Sequence, residues 1–162
     1  MKNSVSLLSI LLIAFFVSGI VGAQNDVPEY KTRGIVSKIE RKILENENGW
    51  RLSKKTAGSY FSLNTWTSDK GSINVTIINY MTPQKAMEDF IKGKGTTSKG
   101  IPRDLNGFGD AAYENVNGDQ PSSIIFVRGT TIVGVEPSLL SKKEQPVLER
   151  FARQMLDAID NK

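Results

Sequence analysis

The chain has 162 residues, 39% of them hydrophobic, and a net charge of +4. It contains no cysteine and no histidine, which excludes disulfides, thiol catalysis, thiolate or imidazole metal sites and every triad built on a histidine base. An enzyme here would have to use carboxylates, lysine or tyrosine, and the charge is too small and too dispersed for a nucleic-acid face.

Met1-Lys2-Asn3 is a short positive start, Val5 to Val21 is an almost unbroken apolar run, and Val21-Gly22-Ala23 brings small residues before Gln24. That order is the grammar of a secretory signal peptide, with the break expected between Ala23 and Gln24. An uncleaved anchor is the competing reading. The run sits at the lower limit of the roughly 17–25 residues a spanning helix needs, and Ser6, Ser9, Ser18 and Gly19 dilute it. Gln24 stands where a lipid-attachment cysteine would have to be. The expectation is a bacterial protein, periplasmic or secreted, with no stable membrane insertion after cleavage. Residues 1–23 are then the leader, 24–31 a polar, flexible lead-in, and 32–162 a single α+β domain. About 140 residues suffice to bury a core without staples.

Ile35, Val36, Ile39, Ile43 and Leu44 recur at helical spacing from Thr32 to Glu47, and Asn48-Gly49 supplies a stop. The period then changes to two. Trp50, Leu52 and Lys54 open a strand that Ala57-Gly58-Ser59 breaks. Tyr60 to Thr67 alternates, with Phe61, Leu63 and Thr65 on one face and Tyr60, Ser62, Asn64 and Trp66 on the other. Ser68-Asp69-Lys70-Gly71 is hairpin chemistry, and Ser72 to Met81 is a third, β-branched strand. Thr82-Pro83 starts a second helix, with Thr as cap and Pro in the first turn. Ala86, Met87, Phe90 and Ile91 form its face, and Gly93 is expected to end it. Lys92 to Arg103 reads as a long basic loop. Ala111 to Val116 is a short strand, and Ser123 to Val127 and Thr131 to Glu136 form a hairpin across Arg128-Gly129-Thr130. The closing helix carries a wide apolar stripe: Val147, Leu148, Phe151, Ala152, Met155, Leu156 and Ile159. Ser141-Lys142-Lys143-Glu144 fits a capping box for it, although Pro146 would then remove a backbone bond inside its first turns. The order α-βββ-α-βββ-α predicts an antiparallel sheet of about six strands, two three-strand meanders, with helices packed on one face.

Gly107-Phe108-Gly109-Asp110-Ala111-Ala112-Tyr113, the hairpin around Arg128-Gly129-Thr130, and the final amphipathic helix form a recurring pattern. With Asn79-Tyr80 and Pro83 upstream, the stretch from Ile73 to Ile159 resembles small exported bacterial α+β domains, many of them uncharacterised lipoproteins or extracellular sensor-like domains. The chain departs from them in lacking the lipid-attachment cysteine and in having Thr130 where Asn is frequent. The resemblance implies fold and export and no particular chemistry. The motif itself reads as structural: its glycines permit a tight turn and Asp110 can bond nearby amides. A phosphate loop would lead into a helix, and here a strand follows.

Two surfaces are candidates for contact. Lys92, Lys94, Lys99 and Arg103 offer positive charge to an anionic partner, against a bland reading as a solvated linker. Tyr60 and Trp66 share strand parity and offer an aromatic sheet face, against core packing as the favoured alternative. Glu114 to Asp119 alternates oxygen ligands but lacks the distant bidentate Glu of a calcium loop, so a turn is preferred. Asp104, Asp110, Glu114 and Asp119 are the carboxylates available for hydrolysis, with no spacing that selects a pair. Asn74-Val75-Thr76 fits a glycosylation sequon inside a strand. The expectation is therefore a non-enzymatic binding domain of the cell envelope, without cofactor or metal, whose partner is an envelope protein, a glycan or an anionic ligand. A carboxylate-dependent hydrolase and an inhibitor or accessory subunit of another exported protein are the alternatives.

Overall fold

A computed structural model describes residues 29–97, 100–118 and 121–160, with side chains from residue 33 onward. The leader, its cleavage point and most of the lead-in lie outside the described residues. Helix α1 runs Glu29–Asn46, so the helix begins inside the segment expected to be flexible. Val36, Ile39 and Ile43 fall on one face and are almost completely buried. Gly49, at φ 84°, then turns the chain as the Asn48-Gly49 stop requires.

Strands β1 (Arg51–Ala57), β2 (Phe61–Ser68) and β3 (Gly71–Asn79) form the expected first meander. Helix α2 spans Pro83–Thr96, and the Thr82 hydroxyl caps it by accepting from the Lys85 amide at 3.2 Å. Four further strands follow: β4 (Ile101–Leu105), β5 (Ala111–Val116), β6 (Ser123–Arg128) and β7 (Thr131–Pro137). A 3₁₀ turn at Lys142–Glu144 leads into α3, Gln145–Asp160. Ser141 makes no side-chain cap bond. The α-helix starts late enough to place Pro146 in its first turn, where a missing N–H leaves no bond unmade.

All seven strands form one antiparallel sheet in the order β1-β2-β3-β7-β6-β5-β4. The two meanders meet where β7 pairs with β3, Val75 opposite Val135. The sheet therefore has seven strands and not six. The extra one, β4, is built from the stretch expected to be a basic loop. Gly93 does not end α2 either, because it is buried against the sheet within the helix.

The helices occupy both faces. On one face α1 and α3 cover Trp66, Ile73, Val75, Ile77, Ile124, Phe126, Val133 and Val135. On the other, α2 brings Ala86 and Phe90 onto Ile78, Tyr113, Ile125, Val127 and Ile132. The one-face expectation fails because β6 is apolar at odd and even positions alike, with Ile124 and Phe126 on one face and Ile125 and Val127, joined by Ile78 and Ile132, on the other, and a strand buried on both sides needs cover on both. Burial beneath α2, reinforced by the charge of Glu136, pushes the Tyr113 hydroxyl up to about 12.

Candidate functional site: a cleft between the first helix and the outer strands

Strand β1 is the outermost strand on its side of the sheet. Its pairing with β2 shifts at Ser53: Leu52 lies opposite Trp66, but Lys54 lies opposite Thr65 and Lys55 opposite Asn64. One extra residue in a strand reverses the facing of everything beyond it. Leu52 and Lys55 thus share the face beneath α1, and Lys54 is turned to the opposite face. Without the bulge Lys54 would point at α1 instead.

Lys55 then projects toward a cleft of about 320 Å³ lined by Arg33, Val36 and Ser37 of α1 and by Lys55 and Ala57 of β1. That volume is at the lower end of the roughly 300–1,000 Å³ of small-molecule sites. The Lys55 ammonium lies 2.5 Å from Glu40 Oε1, one helical turn beyond Ser37. Among the described residues, Arg33 and Lys55 are the cations of the wall, and Glu40 stands beside Lys55.

The strand beside the cleft is polar on its buried side. Ser62 pairs with Ala57 and Asn64 with Lys55, and both β2 residues are almost wholly buried. The Ser62 hydroxyl donates to Asn64 Oδ1 at 3.2 Å, and among the described residues the Asn64 amide nitrogen and the Trp66 indole N–H have no acceptor. Buried donors without partners are uncommon in native folds. Arg33 and Lys55 give the cleft positive charge, which suits carboxylate or phosphate oxygens.

The residues singled out in the sequence are dispersed. Lys92 is exposed near the end of α2. Lys94, in the last turn of that helix, holds Asp104 at 2.5 Å. Arg103 donates to Glu114 Oε1 through Nε at 2.6 Å. Asp104 and Arg103 are consecutive in β4, so Lys94 and Arg103 end on opposite faces of the sheet. Lys99 lies outside the described residues. Trp66 is fully buried, its ring 6.2 Å from Phe151 and nearly perpendicular to it. Tyr60 precedes the β2 ladder, and packs edge-on to Phe61 at 5.5 Å against the core beneath α2. Parity fails for Tyr60 because alternation holds only inside the strand.

Among the described acids, Asp104, Glu114 and Asp110 are each held by a cation. Asp119 lies outside the described residues. Asp110 accepts from the Gly129 amide at 2.6 Å and from Arg128 Nη1 at 2.7 Å, while Arg128 Nε reaches Asp160 at 2.6 Å. The Gly-x-Gly-Asp turn therefore clamps the β6–β7 hairpin to the end of α3, the structural role read from the sequence. The Gly129 amide first, and Arg128 after it, hold the Asp110 carboxyl below the usual range. A depressed folded pKa gives stability that is present above the unfolded value, about 3.9, and is lost as pH falls through the folded value. Acid denaturation followed by circular dichroism should therefore show Asp110→Asn losing its deficit relative to the parent below about pH 3.9. A deficit that stays constant to the acid limit would refute the assignment.

Arg33, Lys55 and Asn64 were not singled out in the sequence. The available signal was Ser62 and Asn64 on the parity of Trp66, polar residues on a face that holds a core tryptophan. The bulge that aims Lys55 carries no local signature.

No protein family matches the chain, and no curated protein matches it. Among solved structures, it is similar to a crystal structure titled a GTP binding regulator from Thermotoga maritima. The two share 14% identity over 78% of this chain and 85% of that one, with a TM-score of 0.52. At that identity the likeness is one of fold.

Proposed function

We propose that the protein is an exported, non-enzymatic binding domain of the bacterial cell envelope, and that the cleft between α1 and β1 takes an anionic group of its ligand. The observation that carries the anionic reading is the cleft's lining, Arg33, Ser37 and Lys55. Export rests on the leader sequence. The hydrolase alternative is weaker because Asp104, Asp110 and Glu114 are each tied to a different cation. A general acid needs a raised pKa, and Asp110 is shifted the opposite way.

Nuclear magnetic resonance titration of the purified protein with acetate, inorganic phosphate and GTP tests the anion site. Shifts should gather on Arg33, Ser37 and Lys55, and Lys55→Gln should weaken binding about tenfold, roughly the 1.4 kcal/mol of one charge-assisted hydrogen bond. Shifts scattered over the surface, or equal affinity in Lys55→Gln, would remove the cleft from the proposal. Intact-mass measurement of the protein recovered after export should give an N-terminus at Gln24, and a retained leader would contradict export as a free domain.

A further inference from the structure

Strand β1 is open along its outer edge. Among the described residues it pairs with β2 alone, and every residue of it except Leu52 is exposed. The turn into β2 decides which of its backbone groups face outward. The Gly58 amide donates to the Phe61 carbonyl at 2.8 Å, which makes these two a hydrogen-bonded pair. Bonded and non-bonded pairs alternate along an antiparallel ladder. Ala57 opposite Ser62, and Lys55 opposite Asn64, are then non-bonded pairs. The N–H and C=O groups of Lys55 and Ala57 therefore point away from β2, to the open edge. The same two residues line the cleft beneath α1. A row of available backbone donors and acceptors thus runs along the mouth of a cationic cleft.

The strand carries Arg51, Lys54 and Lys55 and no acid. Lys55 is held by Glu40. Lys54, turned to the opposite face by the Ser53 bulge, is exposed and makes no ion pair among the described residues. These cations oppose pairing with a second copy of β1, because like charges on adjacent strands repel. They favour a strand that brings carboxylates. We propose that β1 accepts an extended acidic peptide as an eighth strand, bonded to the backbone of Lys55 and Ala57, with a carboxylate beside Lys54. Successive side chains of such a strand fall on alternate faces, toward the cleft and toward Lys54. The inference names a ligand class for the cleft and rests on the anion-binding reading given above.

Nuclear magnetic resonance titration with a capped heptapeptide alternating glutamate and valine tests it. Binding should slow amide exchange at Lys55 and Ala57 by about tenfold or more, the mark of backbone groups newly bonded. The same peptide N-methylated at every residue should not bind. Replacing its glutamates by lysine, or Lys54→Glu in the protein, should weaken binding about fivefold or more, the size of one exposed charge pair. Ala57→Pro removes an outward amide at an edge position that tolerates proline, and should also weaken binding. Circular dichroism confirms that the variants are folded, and the peptide series decides alone for any that is not. Absence of peptide binding overturns the proposal. So do unchanged exchange at Lys55 and Ala57, equal affinity for the lysine peptide or the methylated one, and self-association of the free protein through β1. Acetate or phosphate shifts at the cleft without peptide binding would sink this inference alone, whereas loss of both would also sink the anion site.

Discussion

Trp66→Ala should lower the stability of the fold by about 3–5 kcal/mol, the range for removing a large aromatic from a packed core. Trp66 has no exposed surface and lies where α1 and α3 close on the sheet. Its indole and that of Trp50 approach Phe151 edge-on, at 6.2 and 5.0 Å, so one ring of α3 is held by aromatics from two strand regions. Removing the indole takes away one of those contacts and leaves a cavity that the remaining helix contacts cannot close. Urea unfolding should show a large drop in midpoint with an unchanged slope. A loss under 1 kcal/mol would mean that the side chain stands at the surface, as an aromatic contact face would have it.

Gly109→Ala should be comparably severe, and Gly107→Ala mild. Both glycines have positive φ, 58° and 79°, so each substitution incurs the left-handed penalty of roughly 1–2 kcal/mol. They differ in what a side chain would meet. At Gly107 a Cβ meets nothing within 4 Å. At Gly109 it would lie 2.3 Å from the Val127 carbonyl oxygen, which also accepts the Asp110 amide at 2.8 Å. Relieving that clash separates β5 from β6 and pulls Asp110 from Gly129 and Arg128. Thermal unfolding of the two variants side by side isolates the steric term. Equal losses would show that backbone conformation alone decides both positions.

The same motif shows what was legible without coordinates. Gly-x-Gly-Asp before a strand identifies a turn whose carboxylate bonds an amide, because tight turns and amide capping are local. That the amide is Gly129, and that Arg128 carries the linkage on to Asp160, depends on strands joined across the chain. The cleft is a sharper case. Its polar floor, Ser62 and Asn64, was visible as alternation with Trp66. Its cation was not, because the bulge at Ser53 is fixed by pairing with β2 and α1 packing, not by the residues Leu52-Ser53-Lys54 themselves. Likewise Pro102 and the glycines around it read as loop, yet Ile101–Leu105 is held as a strand by pairing with β5.

The sequence by itself determined the α+β class, the first meander, the Thr82-Pro83 helix start, the β6–β7 hairpin and the closing helix. Each rests on residues within a turn or two of one another, where periodicity, capping and turn chemistry act. The tertiary structure alone decided that β7 joins β3 to make one seven-stranded sheet, that α2 lies opposite α1 and α3, and that Lys54 and Lys55 face opposite sides. Those outcomes come from pairing between distant strands and from covering a sheet whose centre around β6 is apolar on both faces, and no short window of sequence contains either.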